Sequence, residues 1–361
     1  MGVQAKAHTV TQGEPVGRGR AVAAPAAAAA VVSAEVAPIA RRPVPDARTS
    51  LPDAEPWAGT APTGEAGAMT QTDATAAAAS VQGPVLVTGG TGKTGRRVVA
   101  RLRELGVETR AASRSGETPF DWADPTTWQA ALDGVTAVYI TPLDASPSPT
   151  PAFVEQAVAS GVRRLVLLSA RGVDVPGYFG PAYEDGGPHG EGERAVRASG
   201  VTWTILRPGW FSQNFSEGVF LDGVRDGELA LPTGDGRAAF IDADDIADVA
   251  VAALTEDGHA GEEYGLSGPR ALGIADVLDE IAKETGRRAA YVPVDASAFR
   301  AGLVADQGFT DQEAGLWTDA LEPITTSREA PVLDGVRRAL GREPRDFADF
   351  VRDAAARGVW G

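Results

Sequence analysis

The feature that most constrains this chain is a short apolar run that ends in a glycine-rich turn and leads directly into a helix. Residues 85–88 have the composition of a buried parallel strand, and apolar residues then recur with a helical period over 95–105. Between them, Gly89 permits a tight turn, Gly92 permits close approach of a pyrophosphate, and Gly95 permits close packing of the helix on the strand. This strand, turn and helix predict a dinucleotide-binding site, because the first amides of the helix are free to bind phosphate.

The first predicted cofactor contacts are the small and polar residues of this turn. They are Gly89, Thr91, Gly92, Lys93, Thr94 and Gly95. Lys93 adds positive charge near the phosphates. It is not the lysine of a P-loop, because its surroundings do not fit the G-x-x-x-x-G-K-[ST] spacing.

From residue 84 onward, apolar strand patterns alternate with helical patterns. Strands are predicted at 85–88, 108–113, 137–141, 164–169 and 202–207, with helices at 95–105, 126–133, 151–160 and 189–199. Such alternation requires a parallel sheet with helices on both faces. The predicted fold is therefore an α/β, doubly wound Rossmann sheet, with its ligand crevice at the carboxyl ends of the strands.

After residue 207 the pattern becomes mainly helical. Helices are predicted at 210–224, 243–255, 273–286, 295–304, 311–323, 331–340 and 345–357, and short strands at 228–231, 262–266 and 289–293. We expect a Rossmann domain over 84–230 and a smaller C-terminal region over 231–361 that covers the substrate. Residues 1–80 are rich in Ala, Pro, Gly, Thr and Ser and are predicted to be a disordered extension. Because Met69 is the second methionine, residues 1–68 are interpreted as part of that extension or as a start-site artefact.

Composition limits the classes of partner and compartment. The formal charge of −16 disfavours direct nucleic-acid binding, and no apolar run is long enough for a membrane helix. The chain has no cysteine, which fits a cytoplasmic protein. We expect a small-molecule substrate, while the oligomeric state stays open.

The end of the second predicted strand bears on the choice of cofactor. NAD-dependent dehydrogenases usually place a carboxylate there to bind the ribose 2′-hydroxyl. This chain has Ser113 and Arg114 instead, and a guanidinium suits the 2′-phosphate of NADP(H). The sequence therefore favours NADP(H) over NAD(H), with an exposed surface arginine as the alternative interpretation.

Several motifs together resemble one known family. The most specific motif is the string Leu-Arg-Pro-x-x-Phe-x-x-Asn-Phe over 206–215. The other motifs are the glycine turn, the Phe-Asp-Trp stretch at 120–122 and the closing segment 345–350. Residues 84–361 resemble the NmrA-like branch of atypical short-chain dehydrogenases/reductases, and are most similar to its ergot-alkaloid reductases of festuclavine or agroclavine dehydrogenase type. The resemblance implies a Rossmann fold that binds NAD(P)H. It leaves the reaction open, because the branch includes reductases and non-catalytic redox sensors.

The resemblance also implies positions for the cofactor. Phe120 and Asp121 would lie beside the adenine, although ordinary packing explains Phe120 equally well. The residues that follow the next two strands would line the cofactor towards the nicotinamide: Thr141, Pro142, Leu143, Ser169 and Ala170. Of these, Leu143 is also a predicted substrate contact and Ser169 a predicted catalytic residue.

The proton donor of ordinary short-chain dehydrogenases, a Tyr-x-x-x-Lys pair, is not found. None of the five tyrosines has a lysine four residues on: Tyr139, Tyr178, Tyr183, Tyr264 and Tyr291. His189 is the predicted substitute, because an imidazole exchanges a proton near neutral pH, and Glu191 and Glu193 are close enough in sequence to orient it. The related isoflavone and phenylcoumaran reductases have a lysine at what resembles the same place. A solvent-facing histidine that caps a helix is the alternative.

Trp210 and Asn214 are the remaining predicted substrate contacts, and Trp317 is predicted to add a further aromatic wall. Packing of the aromatic side chains in the core is the alternative interpretation. No metal site is predicted, since the carboxylates at 242–245 are typical of a helix start. The sequence thus favours an NADPH-dependent reductase of a small organic electrophile such as an imine, enone, quinone or aldehyde. The alternative is an NADP(H)-sensing regulator without catalysis.

Overall fold

A seven-stranded, wholly parallel sheet forms the centre of the protein. The computed structural model describes residues 83–144, 146–183 and 185–361, so the predicted extension over 1–80 lies outside the described residues. The strands are β1 (Val85–Thr88), β2 (Thr109–Ser113), β3 (Thr118–Pro119), β4 (Ala137–Ile140), β5 (Arg164–Leu168), β6 (Thr202–Pro208), β7 (Glu228–Leu231), β8 (Arg237–Ala238), β9 (Glu262–Leu266), β10 (Leu272–Gly273) and β11 (Ala290–Pro293). The sheet order is β3-β2-β1-β4-β5-β6-β9.

Helices cover both faces of the sheet and build the C-terminal region. They are α1 (Gly95–Glu104), α2 (Trp128–Leu132), α3 (Thr150–Ala159), α4 (Gly187–Ala198), α5 (Leu221–Asp226), α6 (Ala243–Thr255), α7 (Ile274–Thr285), α8 (Ala296–Gln307), α9 (Asp311–Thr325), α10 (Gly335–Leu340) and α11 (Phe347–Ala356). Among the described residues, none of these helices is long and apolar enough to cross a membrane.

The apolar strands are continuous because both of their faces are buried. Val85 and Val87 of β1 pack beneath the sheet with α1 and α6, whereas Leu86 points to the opposite core with α2 and α3. This alternation follows from the pleat of the strand. The strand order reverses at β1, which pairs with β2 on one side and with β4 on the other. The ligand crevice of a doubly wound sheet lies at that reversal, beyond the carboxyl ends of the strands.

A third core belongs to the C-terminal region and joins it to the sheet. Trp210 and Phe215, which follow β6, pack there with side chains of α7, α9 and α11. Trp360, near the end of the chain, donates a hydrogen bond from Nε1 to the carbonyl of Phe215 at 2.8 Å. The segment after β6 is therefore held between the sheet and the C-terminal helices.

The doubly wound sheet and the helical C-terminal region confirm the predicted fold class. The helix predicted over 210–224 is wrong. Residues Ser212–Phe215 form a single 3-10 turn, and α5 begins only at Leu221. The backbone around Phe211 pairs instead with that of Ile241, through hydrogen bonds of 2.8 and 2.9 Å, so a regular helix cannot start there.

Residues on both sides of position 230 contribute to the central sheet. Strand β9 pairs in parallel with β6, and α6 packs under β4, β5 and β6. The segment over 243–266 therefore lies in the Rossmann layer, and α10 packs against it, while α7, α8, α9 and α11 contribute to the third core.

Candidate active site

The glycine turn after β1 has the geometry of a phosphate cradle. Gly89 has a φ of 61°, and its carbonyl accepts a hydrogen bond of 2.9 Å from the amide of Gly92. A Cβ on Gly95 would lie 2.0 Å from that same carbonyl oxygen, so the close approach of α1 to β1 requires glycine there. Gly90, which the sequence pattern did not single out, is equally constrained, since its Cβ would lie 2.9 Å from the Cα of Ala111.

Lys93 connects this turn to the segment after β6. It is buried, and its Nζ donates a hydrogen bond to Oδ1 of Asn214 at 3.2 Å. A Cβ on Gly218 would lie 3.0 Å from the same Nζ, so glycine makes room for the lysine. The structure thus brings a predicted cofactor residue and a predicted substrate residue into direct contact.

The residues predicted to line the cofactor lie at the carboxyl edge of the sheet, as the strand ends require. Thr141, Pro142 and Leu143 follow β4, and Ser169 and Ala170 follow β5. The hydroxyl of Thr88, at the end of β1, accepts a hydrogen bond of 2.8 Å from the amide of Thr141. Thr141 is therefore fixed directly beside the glycine turn.

The end of β2 presents Ser113 and Arg114 on the other side of the turn. Arg114 is exposed and makes no hydrogen bond or ion pair within the described residues. The hydroxyl of Ser113 is buried and likewise has no partner among them. An unpaired guanidinium beside an unpaired hydroxyl is an arrangement that can bind a phosphate group.

Phe120 and Asp121 are placed mainly by local structure. Phe120 is 3% exposed, and its ring packs against Trp122, Trp128 and Phe153 with centroid distances of 5.0–6.3 Å. The carbonyl of Asp121 accepts a hydrogen bond of 2.9 Å from Nε1 of Trp128. The structure thus shows Phe120 packed among other aromatic rings of the core. Contact of Phe120 or Asp121 with an adenine stays a prediction.

Ser169 forms part of a buried polar cluster that ties β5, α4 and β6 together. Its hydroxyl donates a hydrogen bond of 2.6 Å to Oε1 of Glu193, which is 2% exposed. Arg207 donates two hydrogen bonds to Glu193, at 2.8 and 2.7 Å, and Arg197 donates one at 2.7 Å. Both carboxylate oxygens of Glu193 are therefore occupied within the fold.

His189 lies in the first turn of α4 and is 2% exposed, so it is not the solvent-facing cap that the alternative interpretation required. Its Nε2 lies 3.1 Å from Oδ1 of Asp144, in the segment after β4. The predicted orientation of His189 by its two glutamates is wrong. Glu193 is taken up by Ser169 and the arginines, and Glu191 accepts a hydrogen bond from the amide of Ser148 at 3.1 Å. Asp144 was missed, because no sequence motif surrounds it.

Tyr183 is the other titratable group at this corner. Its ring packs on Gly187, at the start of α4, where a Cβ would lie 2.1 Å from the ring. Burial, and after it the negative charge of Asp144, raises the pKa of Tyr183 to about 12. The phenol is therefore protonated throughout the physiological range.

Trp210 and Trp317 are both core residues in this structure. Trp210 is 1% exposed and stacks on Phe220 with a centroid distance of 5.8 Å. Its Nε1 is buried and has no hydrogen-bond partner among the described residues. Trp317 packs in the same core on α9. Core packing accounts for both rings, and contact of Trp210 with a substrate stays a prediction.

The sheet order, the reversal at β1 and the glycine turn define a Rossmann-type dinucleotide-binding protein. The NAD(P)H-binding family profile matches residues 89–257. The chain belongs to the NmrA-like branch of the atypical short-chain dehydrogenases/reductases, and it is an NAD(P)H-dependent oxidoreductase.

Three known proteins illustrate this relationship. An uncharacterized oxidoreductase of Bacillus subtilis is 33% identical over 76% of this chain and 96% of its own length. Agroclavine dehydrogenase of Claviceps fusiformis is 32% identical over 76% and 98%. The structure of an NADPH-dependent quinone oxidoreductase of Escherichia coli in complex with NADPH is 22% identical, has a TM-score of 0.60 and covers 74% of this chain and 99% of its own.

Proposed function

We propose that this protein is an NADPH-dependent reductase of a small organic electrophile: an imine or iminium ion, an enone, a quinone or an aldehyde. The observation that carries the proposal is His189, a buried imidazole at the carboxyl edge of the sheet whose Nδ1 has no partner within the described residues. Such a group can deliver a proton to a substrate that accepts hydride. In this proposal residues 84–230 bind the cofactor, and the helices of the third core, within 231–361, cover the substrate.

The residues at the glycine turn fit NADPH. The glycine turn, together with the first amides of α1, would hold the pyrophosphate, and Arg114 with Ser113 would hold the 2′-phosphate. Pro142, Leu143 and Ala170 would exclude water near the nicotinamide. NADPH supplies the hydride when bound, and His189 supplies the proton.

The relatives support reduction of a small organic molecule. A protein named agroclavine dehydrogenase aligns over 76% of this chain and 98% of its own length. No Tyr-x-x-x-Lys pair is needed when another buried group supplies the proton, or when the substrate is an iminium ion, which becomes a neutral amine on hydride addition. We therefore expect either an electrophile that takes its proton from a buried group of the protein, or an iminium ion that needs no proton.

Replacement of Arg114 by alanine tests the cofactor preference. The variant is expected to bind NADPH more weakly by about 1.5–3 kcal/mol, because one charge-assisted hydrogen-bond partner of the 2′-phosphate is removed. Affinity for NADH, which has no 2′-phosphate, is expected to change little. Isothermal titration of wild type and variant with both cofactors measures this difference.

Arg103 offers a matched control for that titration. It is also exposed and pairs only with the exposed Glu117 among the described residues, at 2.6 Å. Arg103→Ala is expected to leave both affinities unchanged. Equal losses for NADPH and NADH in Arg114→Ala, or tighter binding of NADH by the wild type, would contradict the preference for NADP(H).

A screen of NADPH oxidation separates the reductase from a non-catalytic NADP(H)-sensing regulator. Quinones, α,β-unsaturated aldehydes and cyclic imines are added to the protein in turn, and absorbance at the nicotinamide band is followed. The reductase proposal predicts turnover well above the rate without protein for at least one class. Tight NADPH binding without turnover of any class would support the sensor.

A further inference from the structure

Within the part of the chain that the structure describes, four buried polar atoms at one corner of the site lack hydrogen bonds. Both carboxylate oxygens of Asp144 and both ring nitrogens of His189 have no hydrogen-bond partner among the described residues. Nε2 of His189 lies 3.1 Å from Oδ1 of Asp144, which is an ion-pair distance, but the two atoms do not form a hydrogen bond. An unsatisfied buried group costs about 1–3 kcal/mol, so four together require an explanation.

The structural ion pairs of the same protein differ from this one. Glu193 is buried to the same extent, yet it receives hydrogen bonds from Ser169, Arg197 and Arg207. Asp242, also buried, accepts hydrogen bonds from Gln213 and Arg345. These two carboxylates are hydrogen-bonded at both oxygens, whereas Asp144 and His189 retain unused hydrogen-bonding capacity at all four of their polar side-chain atoms.

We infer that Asp144 is the positioning residue of His189: its carboxylate faces Nε2 at ion-pair distance, so that the unpartnered Nδ1 is turned towards the substrate. The inference rests on the proposed reductase function. Because an imidazole whose Nε2–H faces a carboxylate can carry a second proton at Nδ1, Asp144 supplies the negative charge that balances the imidazolium. The same pairing of a carboxylate with one ring nitrogen fixes orientation and tautomer in other histidine acids and bases.

In the reduction of a C=X electrophile, X is oxygen, or carbon conjugated to a carbonyl group. The substrate carbon accepts hydride from NADPH, which leaves as NADP⁺, and the C=X π electrons move to X. The Nδ1–H bond of His189 breaks as the X–H bond forms. The imidazole is left neutral, with its remaining proton on Nε2 beside Asp144, and solvent restores the lost proton after product release.

The other charged and titratable groups at this corner have different roles. Tyr183 lies near Asp144 and is neutral, because burial and Asp144 raise the pKa of its phenol to about 12. On α4 itself, Glu191 binds the amide of Ser148 and Glu193 is bound to Ser169 and the arginines. Asp144 is thus the carboxylate within ion-pair distance of His189 in the described residues.

The first test compares Asp144→Asn, Asp144→Glu and Glu191→Gln with wild type in reduction of a quinone between pH 6 and 8. Turnover by Asp144→Asn, relative to wild type, is expected to fall by about tenfold across that range, because the ring is no longer held with Nδ1 towards the substrate. Asp144→Glu is expected to restore part of the loss. Glu191→Gln, which removes the carboxylate that the sequence predicted, is expected to follow wild type at every pH.

The second test needs no turnover and so separates this inference from the proposed function. Ring ¹⁵N NMR of the cofactor-free protein reports the protonation of His189, assigned by comparison with His189→Gln. In wild type we expect the proton of the neutral ring on Nε2, and in Asp144→Asn we expect it to be shared between Nε2 and Nδ1. His259, whose Nδ1 contacts the hydroxyl of Tyr264 at 2.9 Å, serves as the internal control, and its spectrum should not change. Identical His189 ring spectra in both proteins would overturn the inference, even if the protein is an active reductase.

Discussion

Replacement of Glu193 by alanine is expected to lower the free energy of unfolding by about 3–5 kcal/mol, as removal of one partner from a buried ion pair does. Glu193 accepts hydrogen bonds from Ser169 on one strand edge and from Arg207 on the next. Without the carboxylate, Arg207, whose side chain is 14% exposed, loses its main counter-charge and the hydroxyl of Ser169 loses its acceptor. Chemical denaturation followed by circular dichroism measures the change.

Glu263 provides the matched control for this variant. It pairs with the same Arg197 and Arg207, at 2.6 and 3.2 Å, but its side chain is 33% exposed. Because solvent screens a partly exposed pair, Glu263→Ala is expected to cost no more than about 1 kcal/mol. Equal destabilisation by the two variants would show that the burial of Glu193 is not what makes its ion pairs important.

The same carboxylate predicts a direction for acid unfolding. Burial alone would raise the pKa of Glu193, but hydrogen bonds from Arg207 and Ser169 outweigh it, so the pKa lies below the usual glutamate value. Its stabilisation is therefore complete at neutral pH and is lost as the pH falls below about 4.3, where the unfolded glutamate binds a proton first. Glu193→Ala should accordingly show a smaller loss of stability between pH 5 and 3 than wild type.

The sheet and its helices were predictable because local patterns and tertiary packing agree. The apolar run at Val85–Thr88 and the helix Ala243–Thr255 occur as the sequence periods predict. The segment after Pro208 was not predictable, because its backbone hydrogen bonds go to Ile241, a partner about 30 residues away. The pairing of β8 with β10 was also not predictable, because a strand of only two residues shows no periodic pattern in the sequence.

Some residues of the candidate site were likewise predictable from the sequence, and others were not. Gly89 and Gly95 were predictable, because a tight turn and a close helix demand glycine whatever else surrounds them. Asp144 was not, since its significance depends on which residue of another element it meets, and sequence proximity pointed to Glu191 instead. The one available signal was position: Asp144 lies four residues after Ile140, the end of β4, at the edge where the ligand crevice of such a sheet lies.

Replacement of His189 by alanine is expected to lower turnover of a quinone, enone or aldehyde by roughly 10²–10⁴-fold, the usual contribution of a general acid. Affinity for NADPH is expected to stay nearly unchanged, because the glycine turn and Arg114 lie on other elements. Steady-state kinetics of wild type and variant, with NADPH titration of the variant as the control, measure both effects.

An iminium substrate reverses this expectation and makes the variant a test of substrate class. Hydride addition to C=N⁺ gives a neutral amine, so no proton donor is required and His189→Ala would be almost silent. Because His189 is buried beside Asp144, the variant's fold must be checked by its thermal unfolding before a rate loss is read as chemistry. A folded His189→Ala variant that reduces quinones at the wild-type rate would eliminate the general-acid role. If the same variant instead retains full activity on cyclic iminium ions alone, hydride transfer without a proton donor becomes the favoured mechanism.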